Sequence, residues 1–257
     1  MNDAVLLDVS GPVATITLNR PDSRNRLDAD GMTLLGEYLM KTADDDAVRV
    51  VVLTGTGTAF CSGADLSGAL EESSGSFATG GANALVGVLT SMLDHPKPIV
   101  GRIQGHVAGG GNGLVAACDI AIASSQARFA FSEVRVGVAP AIISVVCLSV
   151  MHRRDAQQLL LTGERVGADR VLEAGLITSV AEPEALDAEV ASFIEALLHG
   201  GPRAVSTTKE LLRRVPMMPR DDAFAWAGEI SSALFTSPEA REGMTAFLEK
   251  RKPEWAP

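Results

Sequence analysis

Aromatic residues are scarce in this chain: they make up 4% of its 257 residues, although apolar residues make up 46%. Without many large rings to fill space, a core has to be built mainly from Val, Leu, Ala and Ile at closely packed interfaces. The length suffices for one large α/β unit, or for a main domain with a small helical appendage. We therefore expect a sizeable aliphatic core.

Cysteine is rare as well, with three residues at Cys61, Cys118 and Cys147. They lie far apart, form no CxxC pair and show no metal-like spacing with the four histidines. These absences exclude the common zinc and dithiol motifs. We expect reduced structural thiols, no metal and no redox cofactor.

Positive charge is in short supply: 22 Lys and Arg residues face 32 Asp and Glu residues, and the formal net charge is −10. Because nucleic acid and anionic lipid both favour basic patches, neither is an expected partner. The chain also lacks a long apolar run, and its first residues, MNDAVLLDVSG, carry no basic n-region or apolar h-region. These features predict a soluble, cytoplasmic protein that binds no membrane.

Strand and helix patterns alternate along the first two-thirds of the chain. Alternating or continuous β-branched runs predict strands, and apolar residues three or four positions apart predict helices. The predicted strands are 13–18, 48–53, 99–103 and 119–123, and the predicted helices are 32–39, 85–93 and 114–118. The stretch 68–83 is rich in Gly and Ser and is predicted to be a mobile surface loop.

Helical signals dominate from about residue 183 onward. Apolar residues recur at helical spacing between 186 and 197 and again between 223 and 234. Ser237 followed by Pro238 is a favourable N-cap and first-turn pair for a last helix. The C-terminal part is therefore predicted to be helical.

Two glycine-rich junctions follow predicted strands: residues 60–66, FCSGADL, and residues 109–113, GGGNG. Glycine lets a ligand approach the main chain, and a helix opening at Gly110 would aim free N–H groups at an anion. Two such loops can form an oxyanion hole; alternatively, the glycines only make tight turns and close helix contacts. A dinucleotide-binding turn is disfavoured because the third glycine of G-x-G-x-x-G is missing.

A carboxylate, Glu133, stands inside an apolar stretch that runs from residue 129 to residue 140. Burial would raise its pKa towards the range in which a general base works. The alternative is a structural ion pair, for which Arg135 is the nearest candidate in sequence. The residues alone leave both interpretations open.

Several short segments complete the sequence pattern. They are Asn19-Arg20-Pro21, Asn25-Arg26-Leu27, Ser62-Gly63-Ala64-Asp65, Gly109-Gly110-Gly111, Cys118-Asp119, Ser132-Glu133-Val134-Arg135-Val136-Gly137 and the stretch 242–251. Together they resemble the enoyl-CoA hydratase/isomerase (crotonase) family over nearly the whole chain. The resemblance implies an α/β fold, in which residues 1–199 form a spiral of strand–strand–helix (ββα) turns as the catalytic core. Residues 200–257 would form a helical region that assembles a homotrimer or a dimer of trimers.

The resemblance also implies an acyl-CoA thioester as substrate, so coenzyme A would be part of the substrate and no separate cofactor is expected. Ala64 and Gly110 match the two positions whose backbone N–H groups bind the thioester oxygen. Glu133 matches a catalytic glutamate of the family.

Other positions match coenzyme-binding sites of the family. Asp65 and Leu66 match residues along the coenzyme path. Phe247 and Lys250 match C-terminal residues that reach the nucleotide end of the coenzyme from a neighbouring subunit. Arg24 is a further candidate for contacting the phosphates.

One position departs from the family pattern. Hydratases of the family commonly carry a second glutamate three residues after the oxyanion glycine, and here that position is Gly113. The neighbouring segments are similar to the branch that contains methylglutaconyl-CoA hydratases. We expect a lyase that hydrates an α,β-unsaturated acyl-CoA through an enolate. The alternatives are a Δ3,Δ2-enoyl-CoA isomerase with a single base and an acyl-CoA binding protein without activity.

Overall fold

The computed structural model of the chain describes residues 3–63 and 76–257. Two strands followed by a helix recur four times along these residues. The four units are β1 (Val5–Ser10), β2 (Val13–Leu18) and α1 (Ala29–Asp44); β3 (Val50–Gly55), β4 (Ala59–Cys61) and α2 (Ser76–Asp94); β5 (Ile99–Ile103), β6 (His106–Ala108) and α3 (Gly110–Ala117); β7 (Ile120–Ser124), β8 (Arg128–Ala130) and α4 (Ala141–Val150). The predicted α/β fold of repeated ββα units is confirmed.

The remaining elements are mostly helical. They are α5 (Arg153–Thr162), β9 (Arg165–Gly167), α6 (Ala168–Glu173), β10 (Ser179–Ala181), α7 (Leu186–His199), α8 (Pro202–Arg214), α9 (Arg220–Phe235) and α10 (Pro238–Glu249). Short 3₁₀ turns occur at Pro21–Ser23, Ser132–Val136 and Val215–Met217. The helical C-terminal part agrees with the sequence, while the oligomerisation role assigned to residues 200–257 stays a prediction.

In the second, third and fourth units the two strands belong to different sheets, whereas β1 and β2 of the first unit pair with each other in one sheet. One sheet has the order β1-β2-β3-β5-β7-β10, in which all neighbours from β2 onward run parallel and β1 is antiparallel to β2. The second sheet has the order β4-β6-β8-β9, with β4, β6 and β8 parallel and β9 antiparallel to β8. Each unit after the first therefore adds one strand to each sheet.

Register in the second sheet brings the ends of three short strands to one edge. Cys61 pairs with Val107, and Ala108 pairs with Ala130, so β4, β6 and β8 end side by side. Because parallel strands share the direction of their carboxyl ends, the segments that follow them emerge together. Those segments carry the glycines and the glutamate that the sequence singled out.

The core is aliphatic, as the composition predicts. Val, Leu, Ile and Ala form most of it, and Phe60, Phe129 and Phe131 are the largest side chains that are fully buried among the described residues. Two of these rings lie on β4 and β8, and the third follows β8 directly. These three buried rings thus lie close to the edge at which the short strands end.

Helix α2 corrects the prediction for residues 68–83. Residues 64–75 lie outside the described part of the chain, but α2 already begins at Ser76, well before the predicted start at residue 85. Glycine lowers helix propensity, which is why the stretch looked like a loop, but propensity is a weak signal that tertiary packing overrides. The later turns of α2 bury Val88, Leu89 and Met92.

Two lysines hold the ends of helices against the core. Lys97 Nζ donates to three carbonyls at the end of α1, those of Thr42 (2.9 Å), Ala43 (2.5 Å) and Asp45 (3.0 Å). The buried Lys209 of α8 donates to Met92 O in α2 (3.1 Å) and pairs with Asp119 (2.7 Å). Cations at helix C-termini satisfy carbonyls that lack a partner within the helix.

His95 is buried between these lysines. Its Nδ1 accepts the Lys97 N–H (3.1 Å), and its Nε2 lies 3.2 Å from both Thr42 Oγ1 and Leu39 O. The pKa of His95 is lowered to about 4, mainly by burial, and the charges of Lys209 and Lys97 act in the same direction. The imidazole is therefore neutral in the folded protein at pH 7.

Among the described residues, none of the helices combines the length and the apolar character that a membrane crossing requires. The cytoplasmic location stays a prediction.

His95 should make folding stability fall in mild acid. An unfolded histidine has a pKa of about 6.5, so between pH 6.5 and 4 the unfolded chain binds the extra proton and the folded one does not. The free energy of unfolding should then drop by at most ~1.4 kcal/mol per pH unit. Urea titrations from pH 7 to pH 4.5 measure this slope. His95→Gln should flatten this pH dependence, whereas substitution of the exposed His152 by Gln should leave it unchanged. Equal slopes for wild type and both variants would show that His95 does not cause the loss of stability.

Candidate active site

The loops that follow β4 and β6 touch each other through glycine backbone. A Cβ at Gly63 would lie 2.8 Å from Ala108 O and 3.1 Å from Gly110 N, so no side chain fits there. Gly63 also has a φ of +87°, which side chains rarely tolerate. The two predicted junctions are therefore brought together, with Gly63 of the first against Gly110 of the second.

A similar close contact fixes the start of α3. A Cβ at Gly111 would lie 2.6 Å from Cys61 O, so the first turn of α3 packs directly on the end of β4. Gly109 precedes the helix with a φ of +51° and a ψ of −126°. Only glycine adopts this conformation without strain, and it turns the chain from β6 into α3.

Asn112 ties this turn to the neighbouring strand. Its Nδ2 donates to Gly109 O (3.3 Å) and to Ala130 O (2.9 Å), and Gly109 N donates to the same Ala130 carbonyl (3.2 Å). The side chain is fully buried. It therefore fixes the glycine turn relative to the end of β8, which leads to Glu133. The sequence does not predict this role, because a lone Asn among glycines carries no recognisable signal.

Asn25 holds the first junction from the other side. Its side chain is buried, accepts the Arg20 N–H (2.8 Å) and donates to Thr56 O (2.9 Å) and Ala59 O (2.8 Å). The adjoining backbone runs beside the exit of β4: Ser62 N donates to Arg24 O, and Leu27 N donates to Gly63 O. These contacts give the Asn25-Arg26-Leu27 motif a structural role.

The N–H of Gly110 is available to a ligand. Gly110 is the first residue of α3, and no hydrogen bond from its N–H is found within the described residues. Free N–H groups and the positive end of the helix dipole favour an oxyanion at this point. Ala64, expected to supply the second amide, and Asp65 and Leu66, expected along the coenzyme path, lie outside the described residues.

Glu133 lies beside this amide. A Cβ at Gly109 would be 3.7 Å from Glu133 Oε1 and 3.7 Å from Gly63 Cα, so the carboxylate and both glycine loops meet at one point. Burial raises the pKa of Glu133 above its ordinary value, while its own backbone N–H acts in the opposite direction. Its Oε2 is buried and has no hydrogen-bond partner within the described residues.

The ion pair with Arg135 is not formed. Arg135 Nε instead donates to Thr162 O at the end of α5 (3.2 Å), and no salt bridge to Glu133 is found among the described residues. The 3₁₀ turn Ser132–Val136 explains this, because residues two apart on such a turn do not face each other. The structural ion pair with Arg135 is therefore ruled out, while the role of Glu133 as a base stays a prediction.

A cavity of about 270 Å³ contains both groups. Gly109, Gly110 and Glu133 line it together with Ser62, Ser132 and a larger apolar set: Leu85, Val136, Val138, Ala139, Pro140, Ala141, Ile142 and Ile143. Ala141, Ile142 and Ile143 belong to the first turn of α4. The cavity therefore combines a backbone donor and a carboxylate with an apolar wall from α4.

Three predicted coenzyme-binding residues do not line this cavity. The side chain of Arg24 is exposed, and so are those of Phe247 and Lys250 on or just after α10. They are not brought together with Glu133 within one chain. Among the described residues, no cluster of His, Cys, Asp or Glu could hold a metal ion.

An amide that has no partner in the described part of the chain, at a helix start and next to a carboxylate with a raised pKa, is typical of enzymes that stabilise a developing oxyanion while a general base moves a proton. The family can now be stated. A model of the enoyl-CoA hydratase/isomerase family matches residues 8–257, and the chain belongs to that family as an enzyme.

Known relatives support the same assignment. A short-chain-enoyl-CoA hydratase of Clostridium acetobutylicum is 32% identical over 254 residues, covering 97% of this chain and 96% of that protein. An (E)-benzylidenesuccinyl-CoA hydratase of Thauera aromatica is 33% identical over 254 residues and covers 97% of each. The crystal structure of an enoyl-CoA hydratase from Mycobacterium smegmatis has a TM-score of 0.95, with 35% identity and 99% coverage of both chains.

Replacing Gly110 tests the amide directly. Gly110→Pro removes the N–H, while proline is well tolerated in the first turn of a helix. Loss of one oxyanion donor should lower kcat by about 10²–10³-fold. Gly110→Ala is the matched control, because it keeps the N–H and its Cβ would meet Leu27 and Leu85 at an ordinary 3.5 Å. A folded Gly110→Pro enzyme, checked by circular dichroism, with the kcat of the alanine variant would disprove the role.

Proposed function

We propose that the protein is an enoyl-CoA hydratase, which adds water across the α,β-double bond of an acyl-CoA thioester. The observation that carries the proposal is the cavity shared by the Gly110 N–H, which no described residue accepts, and Glu133, whose pKa is raised by burial. The named hydratases among the relatives support the same reaction.

The proposed reaction uses these two groups together. The Gly110 N–H, with the Ala64 N–H as second donor, binds the thioester oxygen and stabilises the enolate that forms at C2. Ionised Glu133 takes a proton from water while the water oxygen bonds to C3, and it then returns that proton to C2. No atom is left over, and Glu133 ends in its starting state.

An isomerase is the second candidate, and Gly113 favours it. A Δ3,Δ2-enoyl-CoA isomerase needs one base to remove a proton from C2 and return it to C4, so it requires no second carboxylate to hold water. The same oxyanion donors would stabilise the dienolate that forms when C2 loses its proton. Assays with 2-enoyl-CoA and 3-enoyl-CoA thioesters separate the two activities.

The cavity lining favours a plain hydrocarbon acyl group. Apart from Glu133, its described side chains are apolar or hydroxylic, and none carries a positive charge that could pair with a distal carboxylate. A thioester such as 3-methylglutaconyl-CoA would have to bury its second carboxylate without a partner, which is costly. The branch resemblance remains a prediction, and including this thioester in the assay panel tests it.

A binding protein without activity fits the site less well. The Oε2 of Glu133 is buried and finds no partner among residues 3–63 and 76–257, which costs stability because a buried polar atom without a hydrogen bond loses its solvation. A site used only for binding would gain nothing from that cost. The carboxylate is best explained by a proton-transfer role.

Helices α9 and α10 support the proposed self-association and the cross-subunit coenzyme site. Phe224, Phe235, Phe247 and Leu248 are all exposed, and Phe247 has 82% of its surface accessible. Large apolar side chains clustered on a surface usually mark an interface. We infer that a neighbouring copy of the chain covers part of this surface, and that Lys250 reaches the coenzyme bound to that neighbour.

Glu133→Gln should abolish turnover and preserve binding. The amide keeps the shape but cannot accept the proton, so kcat should fall by about 10⁴-fold or more, the upper end for general acid–base groups. Acyl-CoA affinity should stay within about tenfold, because the oxyanion donors remain. The exposed Glu229→Gln on α9 is the matched control. Steady-state kinetics with calorimetric binding gives both values, and unchanged kcat in Glu133→Gln would make the residue structural.

The pH dependence provides a second readout of Glu133. As a base it must be ionised, so wild-type kcat/KM should fall in acid around a pKa above that of an ordinary glutamate. For an acid with a raised pKa, stability is present at low pH and is lost as pH rises through the folded pKa. Glu133→Gln should therefore melt at a higher temperature than wild type at pH 7, and the difference should shrink at pH 4.

Lys250 should act on the coenzyme of a neighbouring subunit. Lys250→Ala alone should raise KM and leave kcat nearly unchanged, as expected for binding lost equally in ground and transition states. Lys252→Ala is the matched control. Co-expression of Lys250→Ala with Glu133→Gln should restore some sites with wild-type KM, because one chain then supplies Glu133 and the other Lys250. If the mixture shows only the KM of Lys250→Ala, Lys250 does not act across subunits.

A further inference from the structure

Gly113 and Ile143 are packed so tightly that a side chain at position 113 has no room. A Cβ at Gly113 would lie 2.7 Å from Ile143 Cγ2 and 3.2 Å from Ile143 Cβ, with Leu89 Cδ1 at 3.6 Å. Gly113 belongs to α3, three residues after Gly110, and Ile143 belongs to α4. The close approach of these two helices therefore depends on a glycine at this point.

Ile143 also lines the cavity that contains Gly110 and Glu133, whereas Gly113 does not line it. It is 2% exposed, and its branched side chain lies between position 113 and the cavity. Ile is stiff at χ1, so it cannot easily turn aside to admit a side chain from α3.

We propose that Ile143 is a specificity-determining residue: its side chain fills the space between position 113 and the cavity. No side chain at position 113 can then reach the cavity, so Glu133 alone transfers protons. This rests on the proposed function and deepens it. A glutamate at position 113 would need the volume that Ile143 occupies. The packing of α3 on α4 thus excludes a carboxylate at position 113. Introducing one there requires a substitution on each of the two helices.

The packing part of the proposal has a test that needs no activity. In an exposed helix position, Gly→Ala normally stabilises, and Gly87→Ala in α2, where a Cβ meets nothing within 4 Å, should raise the urea midpoint. Gly113→Ala should lower it. Ile143→Ala should also lower it, but adding Gly113→Ala to Ile143→Ala should cost less than adding it to wild type. A Gly113→Ala protein as stable as Gly87→Ala would overturn the proposal.

The catalytic part is tested with a glutamate at position 113. Gly113→Glu alone should unfold at a lower urea concentration and lose most activity, because the side chain displaces α4. In Gly113→Glu/Ile143→Ala the midpoint should recover in part. The pH profile of kcat/KM should then show a second carboxylate ionisation that is absent from both wild type and Ile143→Ala.

The outcomes separate this proposal from the proposed function. If wild type turns over no thioester but the urea midpoints follow the expected pattern, the packing inference stands and the proposed function fails. If wild type is active and Gly113→Glu alone is as stable as wild type and gains the second ionisation, Ile143 does not close the site. A double variant that folds but keeps the wild-type pH profile would also overturn the catalytic role.

Discussion

The site depends on the contact between two glycine-bearing loops. Gly63 and Gly111 sit where any Cβ would overlap backbone of the opposing loop or strand, at 2.8 Å and 2.6 Å respectively. That approach is possible only because β4, β6 and β8 end in register at one edge of the second sheet. Asn25 and Asn112, both buried, fix the two loops from opposite sides through carbonyl hydrogen bonds. The position of the Gly110 N–H is therefore set by backbone geometry.

The position of Glu133 in this site destabilises its charged form. Within the described part of the chain one of its oxygens is buried without a partner, and burial raises its pKa, so the carboxylate is less stable here than in water. Both features make it a better base near neutral pH. The same cavity is closed on the α4 side by Ile143, which leaves the carboxylate in largely apolar surroundings. Function and local instability thus have one physical origin.

The sequence predicted the parts that rest on local patterns. The strand Ile99–Ile103 has the predicted bounds, and Ser237 caps α10 by accepting the Ala240 N–H (3.1 Å). The motifs predicted that Gly110 and Glu133 belong to one site, and in the structure both residues line the same cavity. Such features depend on a few consecutive residues, which is why they can be predicted from the sequence.

The features that the sequence did not predict depend on contacts between distant residues. Strands β4, β6 and β8 have three residues each, too few for a periodic pattern, yet they place the site. Helix α2 begins at Ser76 within a Gly-rich stretch, because packing overrides propensity. The roles of Asn112 and Ile143 follow from contacts with Ala130 and Gly113, which no local pattern reveals.

The central claim is that backbone N–H groups at this edge polarise a thioester carbonyl. Infrared difference spectroscopy measures this directly, using a 2-enoyl-CoA with a ¹³C-labelled thioester carbonyl bound to Glu133→Gln, which cannot turn it over. The account predicts that the carbonyl stretch shifts to lower frequency than in water, and that the shift is largely lost when Gly110→Pro is added. A bound thioester with the same carbonyl frequency as in water would contradict it.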